Sequence, residues 1–303
     1  MNDYDMACRR LVKSEPAAFL TWLLTDFAQT CEQVGWVDTR RIAFPGKADQ
    51  TGDLVAELRM LRVVQALWAL ALEFQSEPDP RMFGRMLVYL GTLWDEQRPD
   101  ALPGSHYQLA STVINLTGTS ASLPASASFV WPGSDAMECT LRVRERYLAE
   151  ESAELTLEGI ASGRYDRMML PWVVLMSGGS TPEALRCWLE LATAETDARR
   201  RAEIGYAARV FAEKSADPEG WRTILEGWDV VRSQVMEQTR AEGRVEDRQE
   251  SLLELLIPRS QGSIPTELAG AIRACTDLAK LRSWFTIAVA TTTLEQFREQ
   301  AGL

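Results

Sequence analysis

The sequence predicts an α/β fold with its strands in residues 1–140 and a mainly α-helical remainder. Three observations point there. An amphipathic helical opening gives way, between Gly35 and Leu58, to short β-prone pieces broken by Pro45-Gly46 and Thr51-Gly52. A nearly all-apolar stretch, Val63 to Gln75, is stopped by Pro78 and Pro80 and followed by a helical pattern. From about Leu141 onward, helical periodicity dominates.

In the opening, Leu11, Phe19, Leu20, Leu23, Leu24 and Phe27 recur close to a 3.6-residue period, with Ser14 as a cap and Pro16 in the first turn. Val63 to Gln75 reads as either a buried helix or a central strand. As a strand over Trp68 to Gln75, alternation sets Trp68, Leu70, Leu72 and Phe74 on one face and Ala69, Ala71, Glu73 and Gln75 on the other. The bulky face would pack on helices, and the alanine face would stay open and end in two polar groups. Asp79-Pro80 then supplies a cap and first-turn proline for a helix over Arg81 to Gln97. Its core stripe is Met82, Phe83, Met86, Leu87, Leu90, Leu93 and Trp94, with Arg81 and Arg85 one turn apart. Pro99 to Pro132 is rich in Pro, Gly, Ser and Thr and holds one convincing strand, Ala110 to Leu116; the rest reads as loop and edge. Later helices are expected near Glu183 to Thr193, Asp197 to Glu213 and Pro218 to Glu242. The charged stretch Gln238 to Glu250 is an exposed helix or a linker, and a last pair of helices runs from Pro265 to Cys275 and on to Gln300. The expected division is 1–140, 141–235 and 236–303.

Composition excludes several chemistries. No run approaches the roughly 20 apolar residues of a membrane span, and the charged start lacks a signal-peptide core, so a cytoplasmic protein without a membrane partner is expected. Five cysteines, at 8, 31, 139, 187 and 275, form no C-x-x-C pair and suggest neither a disulfide framework nor a thiolate zinc site. A single histidine, His106, excludes a poly-histidine metal centre and leaves a Ser-His-Asp triad hanging on one loop residue. Metal chemistry must therefore use oxygen ligands, which favours Mg²⁺ or Mn²⁺. The net charge of −11 sits badly with a nucleic-acid partner, although Arg59, Arg62, Arg81 and Arg85 recur along the segment that carries the candidate site. The ten tryptophans fall mostly at helical spacing and read as core.

Hydrolysis of a phosphodiester with a divalent ion needs acidic oxygens converging on one cation and a group that orients water. Residues i and i+2 of a strand give co-facial groups, a geometry that Glu73 and Gln75 satisfy, while Asp53 stands at the start of a neighbouring β-prone piece. Asp followed by E-x-Q is common by chance, and on this spacing alone a strand-end surface carboxylate with a turn aspartate is the better account.

The surrounding words are more specific. Gly52-Asp53-Leu54-Val55, then Leu72-Glu73-Phe74-Gln75-Ser76-Glu77-Pro78-Asp79, then Met82, Arg85-Met86-Leu87 and Tyr89-Leu90 resemble the signature of the recombination-promoting nuclease (Rpn) family of transposase-like proteins, within the PD-(D/E)XK superfamily. Leu170-Pro171-Trp172, Glu242-Gly243-Arg244, Leu252 to Leu256 and Gly262-Ser263-Ile264-Pro265 extend the likeness loosely beyond residue 130. The resemblance implies a restriction-endonuclease-like core, a mixed central sheet flanked by helices. It implies that Asp53, Glu73 and the backbone carbonyl of Phe74 hold Mg²⁺, with Mn²⁺ as an alternative. Gln75 takes the superfamily's lysine position, and because an amide lacks lysine's charge, slow turnover is expected. Lys47 is the one lysine near this part of the sequence and is either its spatial substitute or a solvated turn residue.

The expected activity is a Mg²⁺-dependent endodeoxyribonuclease with little sequence preference, acting on double-stranded DNA and linked to recombination or mobile elements. Arg81 and Arg85 either contact DNA phosphates or pair with Glu77, Asp79 and other acids. A duplex cut needs two sites or two visits, for which a homodimer is one arrangement. The alternative is a weak or inactive nuclease-fold protein that serves as a protein-interaction module; a further reading is an enzyme that uses His106 on another substrate.

Overall fold

The computed structural model describes residues 3–24, 26–37, 43–44, 47–51, 54–61, 66–119, 126–130, 138–228, 245, 248–249, 251–253, 255–260 and 264–303. The chain forms two compact units, Met1–Trp228 and Asp229–Leu303.

The first unit is mixed α/β. Among the described residues its strands are β1 (Cys31–Trp36), β2 (Ala43–Phe44), β3 (Lys47–Thr51), β4 (Leu54–Met60), β5 (Leu67–Gln75), β6 (Gln108–Asn115), β7 (Ser126–Val130), β8 (Glu138–Arg142) and β9 (Arg144–Tyr147). Five of them make a sheet of order β1-β4-β5-β6-β9, and β2-β3 and β7-β8 are separate antiparallel pairs. β4 runs antiparallel to both of its neighbours, β1 and β5, whereas β6 and β9 run parallel to β5. A parallel pair needs a crossover, and α4 (Met82–Glu96) supplies it between β5 and β6. The resulting sheet is mixed.

β5 is a strand rather than a helix because it is the middle of this sheet, paired along its length with β4 and β6. Both of its faces are covered. Leu67, Ala69 and Ala71 lie beneath Met82, Met86, Tyr89, Leu90 and Leu93 of α4, together with Val55, Val113 and Val143. The alanine face is therefore closed, contrary to the expectation that it stays open: small side chains let the helix approach, and they are 0% and 1% exposed at Ala69 and Ala71. On the opposite face Phe74 stacks on Trp172, with ring centroids 5.8 Å apart, and meets Phe19 at 6.1 Å. Trp22 and Phe211 complete this cluster around Trp172. A strand buried on both sides reads as a continuous apolar run, which explains why periodicity left its type open.

The aromatic cluster joins the sheet to the helices α1 (Asp3–Ser14), α2 (Pro16–Leu23), α6 (Leu170–Val173) and α8 (Ala198–Ala212). α8 packs against α1 and α6. The opening is thus two helices; Ser14 ends the first by donating to the Leu11 carbonyl instead of capping the second, while Pro16 does occupy the first turn of α2. Arg200 of α8 ties the layer together by pairing with Glu15 at 2.6 Å, Glu195 at 3.2 Å and Asp166. The short α3 (Phe27–Thr30), α5 (Ala153–Ala161), α7 (Pro182–Thr193) and α9 (Pro218–Leu225) complete the unit; the last is followed by a single 3₁₀ turn to Trp228, beyond which the helix expected to reach Glu242 lies outside the described residues.

Other expectations need correction. On α4, Tyr89 is buried, while Leu87 and Trp94 are exposed. β7 occupies part of the stretch read as loop and edge, and β9 lies beyond residue 141. In the second unit, α10 (Thr266–Ala274), α11 (Leu278–Ala290) and α12 (Leu294–Ala301) enclose Leu252, Leu256, Ile272, Leu281, Trp284 and Phe297. The last expected helix is two, because Thr293 caps a new N-terminus through the Gln296 N–H. Among the described residues, no helix is long and apolar enough to cross a membrane.

Trp172 is 1% exposed and sits at the centre of the aromatic cluster. Trp172→Ala is expected to cost about 3–5 kcal/mol of folding stability in urea denaturation. Trp94→Ala, at a ring 46% exposed, should cost less than about 1 kcal/mol.

Candidate functional site

The polar groups that could do chemistry gather where β5, β6 and β9 end. In parallel strands, paired residues point to the same side, so the register Glu73↔Val113↔Glu145 and Gln75↔Asn115↔Tyr147 sets Glu73, Gln75, Asn115, Glu145 and Tyr147 on one face. This is the face covered by α4, since Val113 and Val143 belong to its core. The carboxyl ends of parallel strands are a favoured place for ligands in α/β sheets.

Glu73 is 4% exposed. Its Oε1 accepts a hydrogen bond from Arg85 Nη2 at 3.1 Å and a long one from Gln75 Nε2 at 3.5 Å. Arg85 reaches it from the first turns of α4 and also pairs with Asp79, at 3.6 Å. Asp79 in turn holds Arg81: its Oδ1 accepts from the Arg81 N–H at 2.9 Å and from Nε at 3.2 Å. The Arg81 guanidinium, bonded to Asp79, keeps that carboxyl below the usual carboxylate range against the opposing effect of burial. The result is a chain of alternating charges, Glu73–Arg85–Asp79–Arg81, running from the buried strand end to the exposed start of the helix.

The rim beside this chain is fixed by backbone contacts. The Leu116 N–H donates to the Gln75 carbonyl at 2.8 Å, and Thr117 Oγ1 donates to the Ser76 carbonyl at 2.6 Å. Gly118 follows with φ +82°, where a Cβ would lie 2.6 Å from Pro78 Cδ. Only glycine fits that approach.

The expected residues are distributed as follows. Glu73 and Gln75 come together, Phe74 turns its ring into the aromatic cluster on the other face, and Arg85 meets Glu73. Arg81 reaches only Asp79 and is largely exposed. Asp53 and Arg62 lie outside the described residues, but β4 begins at Leu54, which pairs with Leu72, the neighbour of Glu73. Lys47 is the first residue of β3. Arg59 pairs with Glu32 across β1 and β4 at 2.7 Å. His106 stacks on Trp94, with ring centroids 3.8 Å apart, and its Nδ1 is 3.0 Å from the Trp94 carbonyl, at the end of α4 remote from Arg85. Asn115, Glu145 and Tyr147 were not singled out from sequence. Alternation within Ala110 to Leu116 groups Asn115 with Val113, but only the pairing register brings it beside Gln75. The Tyr147 hydroxyl donates to Glu145, and burial raises its pKa.

Among the described residues, no group of three or more His, Cys, Asp or Glu side chains converges as a metal site. A separate open cleft of about 670 Å³ lies between α2 and residues 160–167; its carboxylates, Glu15 and Asp166, are held by Arg200. Neither a scan against family models nor searches of curated proteins and of solved structures finds a match to this chain.

Removing the half-buried counter-charge from buried Glu73 is expensive: Arg85→Ala is expected to lower stability by about 3 kcal/mol in denaturant titration, with Arg81→Ala far milder. A pKa depressed in the folded state stabilises the fold above the unfolded value of ~3.9 and loses that contribution as pH falls through the lowered one. Asp79→Asn should therefore be less stable than the parent at neutral pH, with the gap closing in acid. An unchanged gap across a pH series would contradict this.

Proposed function

We propose that this chain is a metal-dependent DNA endonuclease with a PD-(D/E)XK-like core, hydrolysing phosphodiester bonds with little sequence preference. The reading is carried by one observation: a buried carboxylate, Glu73, and a co-facial amide, Gln75, stand at the carboxyl end of the central strand, faced by an arginine from the next helix. The mixed sheet between helical layers supports the same reading. So does the start of β4 beside the Glu73 strand end, since Asp53 immediately precedes Leu54 in the chain.

The donor chemistry fits a hard divalent ion. Glu73 offers only oxygen, and Asp53 and the Phe74 carbonyl are the further oxygens assigned to the ion, which suits Mg²⁺ or Mn²⁺ better than zinc. The chemistry supplied by such an ion is polarisation of the scissile phosphate. The chain's own residues do the rest. Glu73 presents its carboxylate at a fixed point, Arg85 orients it through the 3.1 Å contact, and Gln75 presents a hydrogen-bonding amide to water. In the reaction the water oxygen bonds to phosphorus and the bond from phosphorus to a sugar oxygen breaks. A water proton passes to the leaving oxygen, giving a phosphate monoester and an alcohol. With an amide, Gln75, at the strand position two beyond Glu73, turnover is slow.

A second reading, an inactive nuclease-fold interaction module, is favoured by the same pairing: Arg85 already neutralises Glu73, and the chain carries a net charge of −11.

Supercoiled plasmid with Mg²⁺ or Mn²⁺ separates the two. The nuclease yields nicked and linear product, abolished by chelation and lowered at least about 100-fold by Asp53→Ala or Glu73→Ala. No cleavage with either ion, together with no Mn²⁺-dependent thermal shift and a stable complex from host extract, selects the interaction module. Cleavage retained in His106→Ala removes the histidine from this activity.

A further inference from the structure

Among the described residues at the strand ends, Asn115 is an enclosed side chain whose amide nitrogen is unanswered. It is 1% exposed, and its Nδ2 has no hydrogen-bond partner among the described residues. Buried donors are almost always paired, so an open one marks a place where something small belongs. Ser111 also has a hydroxyl without a partner among the described residues, but it pairs in register with Ala71, toward the apolar core beneath α4 and on the other side of Glu73 from the strand ends. Asn115 instead pairs in register with Gln75 and shares its face.

The two amides are complementary. Gln75 turns its nitrogen toward Glu73, which directs its carbonyl oxygen away from that carboxylate, and no described residue donates to it. Asn115 offers an N–H on the adjacent strand. The backbones of neighbouring strands lie about 4.8 Å apart, which brings register-paired side chains within reach of one shared water. The water would donate to Gln75 Oε1 and accept from Asn115 Nδ2, leaving one lone pair and one proton uncommitted. The free lone pair is the nucleophile, held two residues along the strand from Glu73.

Resting on the nuclease reading, we propose that Asn115 and Gln75 together hold the attacking water, with Asn115 contacting a reacting atom from the third strand of the site. During attack the held oxygen bonds to phosphorus, the phosphorus–sugar oxygen bond breaks, and a water proton ends on the departing oxygen. An amide pair thus supplies, through orientation, part of what a lysine would supply through charge. This also accounts for a polar residue kept at a position where an apolar one would pack without an unpaired donor.

The test compares Asn115→Ala with Asn115→Ser, which leave similar cavities but differ in a hydroxyl donor. Alanine is expected to lower kcat on plasmid by roughly 10- to 100-fold with KM for DNA and the Mn²⁺ midpoint of the thermal shift unchanged, and serine to recover a measurable part of the loss. A crystal structure of the metal-free protein should show an ordered water within hydrogen-bond distance of both Asn115 Nδ2 and Gln75 Oε1. Should both small variants fail to fold, isosteric Asn115→Asp decides, since it replaces the donor by an acceptor and should cut at least about 10-fold more slowly. Parental kcat in Asn115→Ala, equal losses in alanine and serine, parental rate in Asn115→Asp, or no water between the amides overturns the proposal while leaving the nuclease reading intact. A parental protein that cuts nothing with either metal ion overturns both.

Discussion

The structure depends on β5 being buried on both faces while one of its residues is charged. Leu67 to Leu72 can be sealed by small and branched apolar side chains, but Glu73 enters the same environment with a carboxylate. A lone ionised group there would be driven to protonate or to pull the strand end into solvent. Arg85 meets that demand from α4, and to reach inward it must leave the helix in its first turns, directly after the turn built on Asp79 and Pro80. The charge chain from Glu73 through Arg85 and Asp79 to Arg81 is the consequence of one buried carboxylate.

Much of this was legible in the sequence. α4 and β6 follow from a proline stop and a short alternating segment, while the apolar run marks β5 as a buried element without deciding between helix and strand; once it is a strand, the co-facial relation of Glu73 and Gln75 follows from its period. What escaped were features set by partners distant in sequence. β9 is four residues, Arg-Glu-Arg-Tyr in type, and becomes a strand because β6 offers an edge to it. β1 begins at Cys31, before the expected β-prone stretch, because it is templated on β4. The alanine face of β5 was read as open since small side chains look like exposure when the covering helix is not in view.

The same logic explains the site. Sequence spacing relates residues on one strand, so it finds Glu73 and Gln75. It cannot relate Gln75 to Asn115, which become neighbours only through a parallel register spanning the whole of α4. Nor could it choose between phosphate contact and acid pairing for Arg81 and Arg85. In the folded chain the inner arginine is engaged with Glu73 and Asp79, and the outer one, held by Asp79, stands 78% exposed at the side chain.

The packing of α1 against α8 bears on how the chain comes into being. Arg10 pairs with Glu203 and the Tyr4 hydroxyl with Glu213, across separations of 193 and 209 residues. A chain emerging from the ribosome amino end first carries α1 into the cell long before α8 exists. Until then Ala7, Leu11 and the aromatic side chains of α2 lack their final cover. The first unit therefore closes late in synthesis, and the exposed interval, set by elongation rate and not by folding rate, is when this protein is most in need of a chaperone.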